Sequence, residues 1–99
     1  MIQVRISGDA LDDLDEGFRF YEAQERGLGD YFLSQLRADI DGLKITAGIH
    51  RQPHRHLHRL LSRKFPYAIF YEFKDSYALV VAVIDCRREP DWIVAHLDK

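Results

Sequence analysis

One cysteine, Cys86, stands in 99 residues, so no internal disulfide can staple this chain. Small extracellular domains often depend on such staples, and their absence fits a reducing, cytoplasmic setting. Long apolar runs are missing as well. The longest, Ala78 to Ile84, is far short of the roughly 20 residues that cross a bilayer, so no membrane partner is expected. The amino-terminal stretch MIQVRISGDALDDL lacks a basic region followed by an apolar one, so no secretory signal is visible. Repeats, low-complexity segments and linkers are absent too. The expectation is a single domain over residues 1–99, and a hydrophobic content of 46% argues against disorder.

A net charge of -2 excludes a strong overall excess of either sign, yet the charges are unevenly spread. Asp9, Asp12, Asp13, Asp15, Glu16, Glu22 and Glu25 crowd the early part of the chain. From His50 to Lys64 there is no acid at all, against Arg51, Arg55, Arg59, Arg63 and Lys64. A local basic face able to meet phosphate or an acidic protein therefore remains open, beside the plainer reading of a solvated charged face. The same stretch, HRQPHRHLHR, holds four of the five histidines. If residues 54 to 58 are extended, His54, His56 and His58 share one face. Zinc needs a third or fourth ligand, and no cysteine or carboxylate stands nearby, so no metal is expected. A contact surface for nucleic acid or protein, and a strand edge protected by charge, both stay open.

Periodicity sets out the elements. Ile2, Val4 and Ile6 alternate with polar residues as in a short strand. Leu11, Leu14, Phe18 and Tyr21 then follow at helical spacing, after acids that suit a helix start. Gly27 and Gly29 mark a break, and Asp30 is placed to cap a second helix whose stripe is Leu33, Leu36, Ile40, Leu43 and Ala47. Gly48 and Pro53 end it. Beyond Pro53 the period becomes two: strands are expected over His56–Leu61, Tyr67–Phe73 and Tyr77–Asp85, the last apolar on both faces like a central strand. Lys74-Asp75-Ser76 supplies a tight turn, and Asp91–Leu97 a final helical turn. The fold class is α+β: an N-terminal strand, an antiparallel helical hairpin, then a three-stranded antiparallel meander forming one sheet, β-α-α-β-β-β, with a short C-terminal helical turn.

The segment Arg63-Lys64-Phe65-Pro66-Tyr67-Ala68-Ile69-Phe70-Tyr71, with the later Ala82-Val83-Ile84-Asp85-Cys86-Arg87-Arg88-Glu89-Pro90-Asp91-Trp92, resembles the RelE/ParE toxins of bacterial type II toxin–antitoxin systems. Element order and length extend the resemblance, most closely to the ParE-like members, over nearly the whole chain. It implies a plasmid-stabilisation toxin that needs no cofactor and is neutralised by a cognate antitoxin in a hetero-oligomer. One branch of the family poisons DNA gyrase. The other enters the ribosome and cuts mRNA, which requires a base for the ribose 2′-OH, cations for the transition state and an acid for the leaving oxygen.

Where that second branch often has a histidine, this chain has Asp85. An aspartate titrates near 4, so as a general acid at neutral pH it needs a large upward shift, and Arg87 beside it would hold it ionised. A ribonuclease reading rests on Lys64, Asp85, Arg87 and Arg88. The gyrase reading needs no catalytic group and is favoured, with Arg63, Lys64, Arg87, Arg88 and Trp92 as the target-binding set. Arg87 and Arg88 point to opposite sides if extended, so one at most pairs with Asp85. Tyr67, Ile69, Tyr71 and Phe73 share one strand face, Ala68 and Phe70 the other. Since a helical hairpin covers only one sheet face, aromatic surface should stay open, and the first four are assigned to the antitoxin. An inactive relative that only binds its antitoxin is the remaining alternative.

Overall fold

A computed structural model describes residues 1–99. The chain runs β1 (Gln3–Ile6), α1 (Gly8–Gln24), α2 (Leu28–Asp41), α3 (Leu43–Thr46), β2 (His58–Leu61), β3 (Tyr67–Lys74), β4 (Tyr77–Asp85) and α4 (Pro90–Leu97). The strands make one sheet in the order β1-β4-β3-β2, with β1 parallel to β4 and the other pairs antiparallel. The α+β meander expected from periodicity is present, and β4 is central as its two apolar faces required. No helix is long and apolar enough to cross a membrane.

Helix α1 starts where Ser7, in an extended conformation, accepts the Ala10 N–H at 3.1 Å. Its buried positions are Ala10, Leu14, Gly17 and Tyr21, not the expected Leu11, Leu14, Phe18 and Tyr21, and Leu11 is 45% exposed. Small residues shift the stripe because the two helices touch through them. A Cβ on Gly17 would lie 2.6 Å from the Phe32 ring, and one on Gly29 would lie 2.6 Å from the Phe18 ring. Phe32 is accordingly buried, while Leu33 is only half-buried. Gly27, at φ 91°, is the cap of α2, and Asp30 falls inside the first turn. The N–H groups of Gly27 and Gly29 are taken by the Glu22 carboxylate at 3.0–3.1 Å, which ties the start of α2 to the end of α1. The second helix does not run unbroken to Ala47. It stops at Gly42, a weak helix former, and Leu43–Thr46 forms a separate turn that still buries Leu43.

Residues 54–57 are not a strand. His54 and Leu57 form an isolated bridge around Arg55, whose φ is 54°, and β2 begins only at His58. His54, His56 and His58 therefore do not line one face. His54 bonds Asp98 at 2.8 Å, His56 approaches Glu72 at 3.5 Å, and His58 stacks on Tyr71 with ring centres 5.0 Å apart.

The sheet is covered on both sides, which corrects the expectation of an open aromatic face. Under α1 and α2, Tyr67, Ile69, Tyr71, Ala78, Val80 and Val83 join Leu14, Phe32 and Leu36 in the main core. On the other face Leu57, Ala68, Phe70, Ala82 and Ile84 form a smaller cluster, closed by Ile93 and Leu97 of α4. Pro90 opens that helix, and its apolar residues at i and i+4 give it one face to bury. A register shift between Phe70 and Tyr71 leaves Val81 of β4 without a partner. This bulge reverses the alternation, so Val80 and Val83 face the helices while Ala82 and Ile84 face α4.

Candidate functional site

Two chain segments meet at one end of the sheet, where β3 begins and β4 stops. Tyr67 pairs with Asp85, and the Cys86 N–H donates to the Pro66 carbonyl at 2.8 Å. The β2–β3 turn, with Arg63 and Lys64, thus lies at the same end as the turn after β4, with Arg87 and Arg88. Asp85 shapes the second turn. It accepts the Arg87 backbone N–H at 2.9 Å and receives the Arg87 guanidinium as a fork at 2.9 and 2.8 Å. That fork holds the Asp85 carboxyl below the usual carboxylate range and raises Arg87 in turn. Burial pushes the neighbouring Tyr67 hydroxyl up to about 12, with the Asp85 charge adding to it. At neutral pH the corner holds an anion already paired and a phenol that keeps its proton.

Arg88 turns the other way; the two arginines diverge in the turn after β4, not along a strand. Its guanidinium lies 4.1 Å from the centre of the Trp92 ring and 3.3 Å from the Glu16 carboxylate. Trp92, 37% exposed, stacks its other face on His96 at 4.7 Å and 10°. His96 Nε2 in turn meets Asp13 Oδ1 at 2.9 Å, and Asp13 Oδ2 accepts the Val83 N–H at 2.9 Å. Burial raises Asp13 above its ordinary value, opposed by the Val83 bond and by His96. Arg88, Trp92, His96 and Asp13 form one column from solvent to β4. Beside it lies a cleft of about 200 Å³ whose walls include Glu16, Phe20, Tyr67, Asp85, Arg88 and Trp92.

Of the target-binding set, Arg87, Arg88 and Trp92 come together in this corner. Arg63 is drawn sideways: its Nε meets Asp39 Oδ1 at 3.2 Å, and Ser62 Oγ donates to Asp39 Oδ2 at 2.7 Å. Asp39 is the buried acid that anchors the β2–β3 turn to α2. Lys64 is exposed and forms no ion pair. The residues assigned to an antitoxin are displaced inward, for Tyr67, Ile69 and Tyr71 are 7%, 0% and 0% exposed and Phe73 is half-buried. They are core because the alternate positions of β3 facing the helical hairpin are these. Tyr71 also accepts the Gly48 N–H at 3.0 Å and bonds His50 Nδ1 at 2.5 Å. No group of three or more His, Cys, Asp or Glu side chains is gathered as metal ligands.

Asp13, Glu16, Asp39 and His96 escape sequence reasoning. Asp13 and His96 are 83 residues apart, and Asp13 reads as one more acid in a helix start. A solitary histidine on the apolar side of a short helix was the only signal.

The model of a protein family described as "ParE toxin of type II toxin-antitoxin system, parDE" matches residues 4–90. A chain from the solved "Chromosomal ParDE TA system from P. aeruginosa" superposes with a TM-score of 0.79, over 86% of this chain and 96% of that one, at 12% identity. At that identity the likeness speaks for the fold. No curated protein matches the sequence. With the family pattern spanning most of the chain and the architecture shared, this protein belongs to the ParE toxin family of type II toxin–antitoxin systems.

Proposed function

We propose that this toxin stalls DNA gyrase through the corner formed by Arg87, Arg88 and Trp92, and that a cognate antitoxin silences it in a hetero-oligomer in the cytosol. One observation carries the choice of target. The carboxylates at the corner are already engaged: Asp85 is locked into a fork with Arg87 and held ionised, and Glu16 meets Arg88 at 3.3 Å. Cleavage of RNA at a ribose 2′-OH needs a base and an acid within reach of the phosphate. Tyr67 keeps its proton far above neutrality, and burial raises the Cys86 thiol. His96 lies behind Trp92, engaged with Asp13. What the corner offers is an arginine over an exposed indole, a pairing suited to gripping a protein surface.

The antitoxin finds no handle on Tyr67, Ile69 or Tyr71. Exposed apolar side chains elsewhere, such as Ile45 and Ile49 at 85% and 76%, offer it surface to bury.

The test is induction without antitoxin, followed by pulse-labelling of DNA and protein synthesis, with a gyrase cleavage assay on plasmid. DNA synthesis should fall first. Arg87→Ala with Arg88→Ala should abolish growth arrest while a pull-down still recovers the antitoxin. Protein synthesis failing first, with mRNA cut at the ribosome, overturns the gyrase reading and returns Lys64, Asp85, Arg87 and Arg88 to a ribonuclease role.

A further inference from the structure

The structure leaves one strongly charged surface unused by the corner. We infer that the outer edge of the sheet along β2 is a contact surface for the phosphate backbone of double-stranded DNA, carried by Arg51, Arg59 and Lys64.

The geometry of the edge is specific. The Ser62 N–H donates inward to the Tyr67 carbonyl of β3, so by alternation the Arg59 N–H points outward, where it donates to the Arg51 carbonyl at 2.9 Å. The segment at Arg51 thus runs along the open side of β2 and brings two arginines abreast. Both are exposed, as is Lys64 just beyond the strand. Other basic side chains of the stretch face a carboxylate: His54 and Arg55 meet Asp98, His56 approaches Glu72, and Arg63 meets Asp39. Arg51, Arg59 and Lys64 have no carboxylate.

Like charges set side by side on a sheet edge cost stability. Protection against edge-to-edge pairing does not require that cost, since mixed signs or a single lysine serve as well. A concentrated positive edge is what an anion relieves. Four of the five cations from His50 to Lys64 are arginines, whose planar fork matches phosphate oxygens better than an ammonium does. A protein partner is the weaker fit. Protein hot spots centre on buried aromatic or apolar anchors, and β2 exposes only Leu61. Backbone phosphates ask for cations alone. The phosphate affinity stands by itself, whereas the choice of duplex DNA over RNA rests on the gyrase reading.

The experiment is fluorescence anisotropy of a labelled random-sequence DNA duplex titrated with the full chain between about 50 and 200 mM salt. Three phosphates contacted predict a slope of log K on log salt near about -2.7. Arg51→Gln, Arg59→Gln and Lys64→Gln together should flatten the slope and weaken binding at least ~10-fold at the lowest salt. A control with the same loss of charge, Arg26→Gln, Arg37→Gln and Lys74→Gln, should leave both unchanged. Equal weakening by both variants, no salt-dependent binding by the wild type, or tighter binding of RNA than of the duplex overturns the inference. Supercoiling by gyrase is assayed alongside. Inhibition without duplex binding by the chain sinks the DNA edge and spares the gyrase reading. Edge-dependent DNA binding without inhibition does the reverse.

Discussion

Replacing Asp13 tests whether the column behind Trp92 is held by acceptor geometry or by charge. Asp13→Ala removes the acceptor of the Val83 N–H and one side of the His96 contact. The site is largely closed: the His96 and Asp13 side chains are 14% and 10% exposed. Leaving a buried N–H unpaired costs about 1–3 kcal/mol. For a domain of this size that lowers Tm by roughly 4–24 °C. Asp13→Asn is the informative partner. Its amide oxygen can still accept from Val83, and its NH₂ can face a neutral imidazole nitrogen. Because burial raises the Asp13 carboxyl, its charge costs the fold at neutral pH, and the amide escapes that cost. The expected order in thermal unfolding at pH 8 is Asp13→Asn within about 1 kcal/mol of the wild type and Asp13→Ala well below it. The single tryptophan reports the same event, since Trp92 should lose its stack on His96 and shift its emission in the alanine variant only. If asparagine falls as far as alanine, charge pairing with His96 holds α4 and the reasoning fails.

Two further outcomes follow from packing and titration. Gly29→Ala should destabilise by about 1–3 kcal/mol in urea unfolding despite alanine's better helix propensity, because its Cβ would meet the Phe18 carbonyl at 2.8 Å, and backbone yields poorly. Gly8→Ala, with nothing within 4 Å, is the matched control and should be neutral or better. Burial, and secondarily His58, lower His50 below its ordinary value of 6.5. The unfolded chain therefore binds that proton more readily. The stability it provides is complete above pH ~6.5 and is lost as pH falls through the lower folded value, and His50→Gln should reduce that slope in denaturation midpoints between about pH 8 and 5.

Much of this architecture was legible because it depends on period alone. Alternation over Tyr67–Phe73, the doubly apolar Tyr77–Asp85 and the glycines after Tyr21 oblige a helical hairpin followed by a meander, whatever the details. The family resemblance rested on short stretches of the same strands and of the turns that follow them. The readings that failed share one cause. Leu11 and Phe18 were chosen as the buried stripe by size, yet Gly17 and Gly29 decide which helix faces approach. His54 and His56 were aligned by assuming extension, yet Arg55 adopts a left-handed conformation and separates them.

The sequence by itself determined the element order, the central place of β4 and the concentration of cations between His50 and Lys64, since each follows from local pattern or composition. Only the tertiary structure decided what the cations of the chain face. It gave Arg87 to Asp85, Arg63 to Asp39 and Arg88 to Trp92, and it left Arg51, Arg59 and Lys64 without a counter-ion. It also moved Tyr67, Ile69 and Tyr71 from an expected surface into the core. The physical reason is range: periodicity is written over a few residues, whereas side-chain contacts such as Asp13–His96 and the covering of a sheet face by α4 join residues distant in the chain, which folding alone brings together.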